Sequence, residues 1–362
     1  MLHPVILAAT GLLALAPAAV PAVPRVAVAQ DWGREEIPAA LDWEIRPTDR
    51  AEAAAGAVSF QIGFRSEHHS WRTGRDVPLA DLAGLTAVQL AADGQPVSFV
   101  IHHDAGDFRC KGAVSDRRGI GTCVYAANPG FAAALARRGV VGGLEPYPQF
   151  ELAMSDVGLA YVDELKRERY ATPSTDDLVR AGTHGAGLKQ LLAMDAAGYR
   201  FGDVASLVHA RDHGVSATYI EALRAAGYRR LTGADLVVLR DHGVSAGYIS
   251  ELRDAGYGGF TPEQLVRLRD HGVSGGFVTD LRKAGYAGLS ADDLTHLRDH
   301  GVTGGFVADL AAAGYERMPP ADLARLRDHG VSAGFVRIAN RGGQRLSPDE
   351  LIRLRERGGR PD

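Results

Sequence analysis

Histidine is the side chain in this sequence best suited to chemistry, and it recurs on a fixed interval. Asp-His-Gly stands at 212, 241, 270, 299 and 328, a spacing of 29 residues each time, and Thr183-His184-Gly185 lies one interval earlier. The result is a ladder of His184, His213, His242, His271, His300 and His329, which suggests metal binding because imidazole is the commonest metal ligand. Distance opposes that use: equivalent residues on stacked helices lie about 10 Å apart, whereas zinc holds its ligands at about 2 Å. In the last turn of a helix a histidine can instead bond free carbonyls and, when charged, favour the negative end of the helix dipole. No metal and no cofactor is therefore expected. A second ladder, Arg211, Arg240, Arg269, Arg298 and Arg327, places a guanidinium one residue before each Asp. Most rows of this kind are solvated faces or inter-repeat salt bridges of small individual worth. Repeated along one side of a solenoid they also make a regular polar strip, and concave solenoid surfaces are common partner sites. These arginines, with His213, His242, His271, His300 and His329, are the candidate binding residues.

Further patterns invite a catalytic reading. His68-His69 and His102-His103-Asp104 could equip a metal-dependent hydrolase with His68, His103 and Asp104. Adjacent residues on a strand face opposite ways, however, so at most one of each pair faces a given site. Polar residues at loop ends are the preferred reading. Gly-x-Ser-x-Gly occurs around Ser245, Ser274 and Ser332, but a nucleophile elbow needs a strand before the serine. Here a helix precedes it, and each serine fits a helix N-cap. Neither Gly-x-x-x-x-Gly-Lys nor His-Glu-x-x-His is present, and the chain is expected not to be an enzyme.

The elements carrying the ladders follow from one unit, Leu231 to Tyr257. Thr232 caps a first helix, with Asp235 three residues on as a variant capping box and Leu231 and Leu236 at the staple positions. That helix runs to His242 and is ended by Gly243, with Val244 folding back on Leu239. Ser245 caps a second helix, which ends at Ala255-Gly256-Tyr257. Leu236, Leu239, Val244, Tyr248, Ile249, Leu252 and Tyr257 give each helix one apolar face. Helices of about nine residues are marginal alone, so hairpin must stack on hairpin. Backwards, the register reaches Val157, Tyr161, Val162 and Leu165; forwards, Leu351 to Gly358 repeats Leu323 to Gly330 one residue short. The array therefore spans about 128–358 and leaves 359–362 as a tail.

Upstream, residues 58–127 are β-rich: Val58 to Phe64 alternates, and Val97 to Ile101 leads into two further runs. The expected fold class is an α+β N-terminal domain with a small antiparallel sheet, followed by an all-α solenoid of helical hairpins. Cys110 and Cys123 lie on Phe108 to Val114 and Ile120 to Tyr125, around the turn-like Ser115 to Gly119. A hairpin there would set them opposite each other for a disulfide; two buried free thiols are the alternative. Residues 30–57 mix Pro, Ala and charge and are expected to form a flexible lead-in. Residues 1–29 read as a signal peptide, with an apolar run from Val5 to Leu15 and small-x-small patterns at Ala16-Pro17-Ala18 and Ala27-Val28-Ala29. No Lys or Arg precedes Val5, which leaves a retained amphipathic anchor as the alternative. The chain is expected to be secreted or periplasmic, with no stable membrane insertion after cleavage. Its net charge of -4 offers no basic surplus for nucleic acid.

The unit Leu-Ser/Thr-x-x-Asp/Gln-Leu-x-x-Leu-Arg-Asp-His-Gly-Val-Ser/Thr, continuing to Ala-Gly-Tyr, resembles repeats of bacterial proteins related to the beta-lactam-sensor antirepressor metallopeptidases. There the repeats follow a membrane-embedded peptidase domain. Ser70-Trp71, Asp76-Val77-Pro78-Leu79, Asp104-Ala105-Gly106-Asp107-Phe108 and Asn128-Pro129-Gly130-Phe131 likewise resemble the extracytoplasmic segment before those repeats. The similarity covers roughly 58–358 and includes neither the peptidase motif nor its membrane helices. It implies a detached sensor-like or interaction region. The expected function is a non-catalytic protein-interaction or sensing module with a protein partner. Its first rival is a regulatory accessory of an envelope protease or signalling system, and a metal-dependent hydrolase is the least favoured.

Overall fold

The computed structural model describes residues 36–48, 56–65, 70–341 and 343–358; the expected signal peptide, His68, His69 and the tail lie outside the described residues. Described residues from Ile37 onward form one compact unit. Six strands, β1 (Leu41–Pro47), β2 (Ala57–Arg65), β3 (Ser70–Pro78), β4 (Pro96–His103), β5 (Gly106–Ser115) and β6 (Arg118–Ala127), make an antiparallel sheet of order β3-β2-β1-β6-β5-β4.

Within the flexible lead-in expected over 30–57, Leu41–Pro47 instead forms the strand β1, which pairs with β2 on one side and β6 on the other. Leu41, Trp43 and Ile45 alternate onto the core, as a strand requires. The intervening Glu44 is buried as well, under the guanidinium groups of Arg46, Arg72 and Arg118. Burial pushes its carboxyl up, yet hydrogen bonds and charge from Arg46 and Arg118 outweigh that and hold it below the usual carboxylate range. A polar residue hidden under partners from three strands leaves no clean apolar-polar alternation for composition to report.

Glycine and aromatic residues together explain the curl of the sheet. Phe60 on β2 and Phe99 on β4 approach to 6.3 Å between ring centroids although β1, β6 and β5 lie between their strands, and Trp43 meets Phe99 edge-on at 5.0 Å. A Cβ at Gly112 or Gly119 would come within 2.5 or 2.9 Å of the Trp43 ring, so those glycines make room for the indole. Segment 79–85 then pairs Ala83 with Val100 along the free edge of β4 and adds Leu82 and Leu85 to the core. At the hairpin, Asp116 and Arg117 both take positive φ, giving a two-residue turn tighter than the expected five-residue one. Cys110 stands directly opposite Cys123, and the two form a buried disulfide. Closing so short a loop stabilises by about 3 kcal/mol in chain-entropy terms.

The helices are α1 (Ala87–Ala91), α2 (Phe131–Arg137), α3 (Pro146–Ser155), α4 (Leu159–Arg167), α5 (Thr175–Thr183), α6 (Leu188–Ala196), α7 (Val204–Asp212), α8 (Ala217–Ala225), α9 (Gly233–Asp241), α10 (Ala246–Asp254), α11 (Pro262–Asp270), α12 (Gly275–Lys283), α13 (Ala291–Asp299), α14 (Gly304–Ala312), α15 (Pro320–Asp328), α16 (Ala333–Ala339) and α17 (Pro348–Glu356). From α2 onward each helix packs on the next but one, so odd and even helices form two layers. Leu268, Leu281, Leu294, Leu297 and Leu310 are fully buried between them. Gly275 and Gly304 open α12 and α14 where an added Cβ would lie 2.6 to 2.8 Å from backbone atoms of Glu251 and Asp280, so these second-layer helices approach closely.

The sheet seats on the first helices through buried polar bonds. Gln149 donates from Nε2 to the carbonyls of Ala105 and Asn128, both at 2.7 Å, and Phe150 packs on Phe108 and Tyr125. Asp104 accepts the Leu159 N–H at the start of α4, where Gly158 has no side chain to cap the helix. Among the described residues no helix is long and apolar enough to cross a membrane.

Candidate functional site

Both ladders lie at the turn from the first helix of a unit to the second, and the turn is built by hydrogen bonds that the sequence dictates locally. In one unit Gly243 takes φ +67°, its N–H bonds the Arg240 carbonyl at 3.1 Å, and the Val244 N–H bonds that of Leu239 at 2.8 Å. This is the Schellman closure expected of a glycine past a helix end. Ser245 then caps α10 by accepting the Tyr248 N–H. Ser274 and Ser332 cap α12 and α16 in the same way, so the serines of the Gly-x-Ser-x-Gly matches serve as helix caps.

The histidines do not turn back onto their own helix ends, as the dipole argument has it. Each reaches across to the acid of the following unit: His184 Nδ1 to Asp212, His213 to Asp241, His242 to Asp270 and His271 to Asp299 at 2.8 Å, and His300 to Asp328 at 2.7 Å. In the shortened last unit His329 bonds Glu356 at 2.8 Å, the longer side chain standing where one residue is missing. The ends of the array confirm the logic. Thr183 replaces the acid where Ser155, one interval earlier, offers no imidazole, and Arg357 replaces the histidine after the last acid.

The arginines likewise do not pair with their neighbouring aspartates. Arg240 lies over the ring of Tyr219 at 5.3 Å, Arg269 over Tyr248 at 5.0 Å, Arg298 over Phe277 at 5.5 Å, Arg327 over Phe306 at 5.4 Å and Arg355 over Phe335 at 5.5 Å. Arg211 has Gln190 in the corresponding place, and its guanidinium lies close to Gly185. The five ladder arginines are exposed and have no acid partner among the described residues. Stacking on an aromatic face holds the guanidinium of Arg240, Arg269, Arg298 and Arg327 in place while its edge keeps its N–H donors. Burial pushes the Tyr219 and Tyr248 phenols up to about 12, with the arginines above them pulling the other way. Each donates its OH to a carbonyl of the next unit, Val244 or Val273, at 2.8 Å.

The aromatic partners Tyr219, Tyr248, Phe277, Phe306 and Phe335 were missed at the sequence level because they read only as core. The available signal was that an aromatic residue precedes the next unit's arginine by 21 positions in each of these pairs except the last, where the interval is 20. Elsewhere, His103 bonds Asp156 at 2.7 Å and His102 bonds Asp107 at 2.9 Å, while Asp104 is engaged at α4. His103 and Asp104 thus serve the joint between sheet and helices. Glu164, Glu168 and Asp195 bring carboxylate oxygens within 4.8 Å of one another, and Arg167 and Arg200 cross them as an ion-pair network between α4 and the segment after α6.

Comparison with known proteins finds no matching family model, no matching curated protein and no matching solved structure.

Proposed function

We propose that the chain is a non-catalytic, secreted or periplasmic interaction module whose ridge of stacked arginines engages a protein partner. The observation that carries this reading is the regular presentation of Arg211, Arg240, Arg269, Arg298 and Arg327 with no acid paired to them among the described residues, four of them on aromatic rings. A guanidinium already held in position loses little freedom on binding and recognises carboxylates through two parallel bonds, so an acidic segment is the favoured counterpart. The disulfide agrees with an oxidising compartment and with removal of residues 1–29 as a signal peptide. The test is capture of envelope proteins by the chain beside a variant with all five arginines changed to Gln. Capture that falls at least tenfold in the variant and weakens with salt is expected. Equal capture by both would move the binding face elsewhere.

A second reading makes the module a regulatory accessory of an envelope protease or signalling system. Its support is the resemblance carried by the repeat unit and by Asp104 to Phe108. Recovery of a membrane-bound protease or receptor as the captured partner would favour it, and recovery of a soluble protein would not.

A further inference from the structure

Equivalent histidines of successive units stand a helix spacing apart, too far to share a metal ion. Within two units a different pair exists. His209 lies on α7 one turn before His213, the residue that caps its C-terminal end, and His296 lies on α13 one turn before its cap, His300. Residues four apart on a helix lie on one face, and two histidines so placed can share a metal ion. The ring centroids are 4.3 Å apart in the first pair and 4.4 Å in the second, inclined at 64° and 59°. These pairs are not imposed by the repeat: the positions equivalent to His209 and His296 hold Arg180, Val238, Arg267, Arg325 and, in the shortened last unit, Arg353.

The second member of each pair is already oriented. His213 bonds both carboxylate oxygens of Asp241 through Nδ1 at 2.8 Å, and His300 bonds Asp328 through Nδ1 at 2.7 Å. An Nδ1–H donated to a carboxylate leaves Nε2 with its lone pair, which is the arrangement found behind metal-bound histidines. His209 and His296 are exposed, and their ring nitrogens have no hydrogen-bond partner among the described residues. We propose that His209 with His213, and His296 with His300, form two separate chelating sites for a divalent transition-metal ion of the zinc class, with water completing the coordination and Asp241 and Asp328 as positioning residues. Imidazole donors suit zinc, nickel and copper rather than calcium or magnesium. The sites are independent of the arginine ridge and stand or fall without it.

The experiment is a zinc titration of the intact, metal-stripped chain against a chromophoric chelator. His209→Arg and His296→Arg are the informative variants, because arginine already occupies the same place in four other units, as Arg180, Arg267, Arg325 and Arg353, and the fold accepts it. Two zinc equivalents are expected for the unaltered chain, one for either variant and none for the double variant. Asp241→Asn should weaken one equivalent about tenfold or more while leaving the metal-free melting temperature of the chain within a few degrees. Absence of saturable zinc binding, or two equivalents retained by the double variant, would overturn the proposal.

Discussion

Tyr219 and Tyr248 show how a single side chain can serve two neighbours, with the ring under an arginine and the hydroxyl on the next unit's backbone. Phe277 and Phe306 keep the first contact and dispense with the second. Because burial holds the two phenols protonated up to about 12, whereas an unfolded tyrosine ionises near 10, the folded state lags the unfolded one in losing protons. The stability they contribute is fully present below about pH 10 and is lost as pH rises towards 12, by up to about 1.4 kcal/mol per pH unit for each tyrosine. Changing both to Phe should cost about 1 kcal/mol per lost hydrogen bond at neutral pH and flatten the decline above pH 10. Urea midpoints at pH 8, 10 and 11 read this directly, and an unchanged slope would mean that these phenols ionise freely in the fold.

At the scale of the element, nine-residue helices hold only because their apolar faces meet. Leu268 on α11 is fully buried between the layers, so Leu268→Ala should cost about 2–5 kcal/mol, the range for a buried leucine left as a cavity. A denaturant midpoint showing less than about 0.5 kcal/mol of loss, the scale of surface changes, would contradict a continuous core. The helices were legible in the sequence because their signals are local: Thr232 with Asp235, Ser245, Gly243 and Gly256 fix starts and stops within a few residues, and the caps and closures stand where those residues place them. β1 was not legible, since its stability comes from β2 and β6, which are remote in sequence, and from arginines that bury Glu44. The site divides the same way. The ladder positions were evident from their interval, but the direction in which His242 points depends on the turn made by Gly243, and so its partner, Asp270 rather than its neighbour Asp241, emerges only in three dimensions.

Across the whole molecule, the curled sheet closes the N-terminal end of the stack through Gln149, Phe150 and Asp104, and from His213 to Asp328 the histidine–aspartate joint repeats from unit to unit. Removing one full unit, Val244 to Gly272, would bring His242 to the same distance in sequence from Asp299 as it now has from Asp270, and would remove Tyr248 and Arg269 together. The shortened chain should fold with a single cooperative melt and a helical circular-dichroism signal reduced by roughly one repeat's share, because stability in such arrays is a sum over units and neighbour interfaces. Deleting a segment of about two thirds that length at the same place should abolish the cooperative transition; equal behaviour of the two deletions would mean that register between units is unimportant. The histidine that each unit offers forward and the acid it offers backward thus make every internal copy compatible with every other. A gene encoding such a chain can lengthen or shorten by in-frame duplication or loss of one copy without any compensating substitution, so copy number is a quantity on which selection can act by itself.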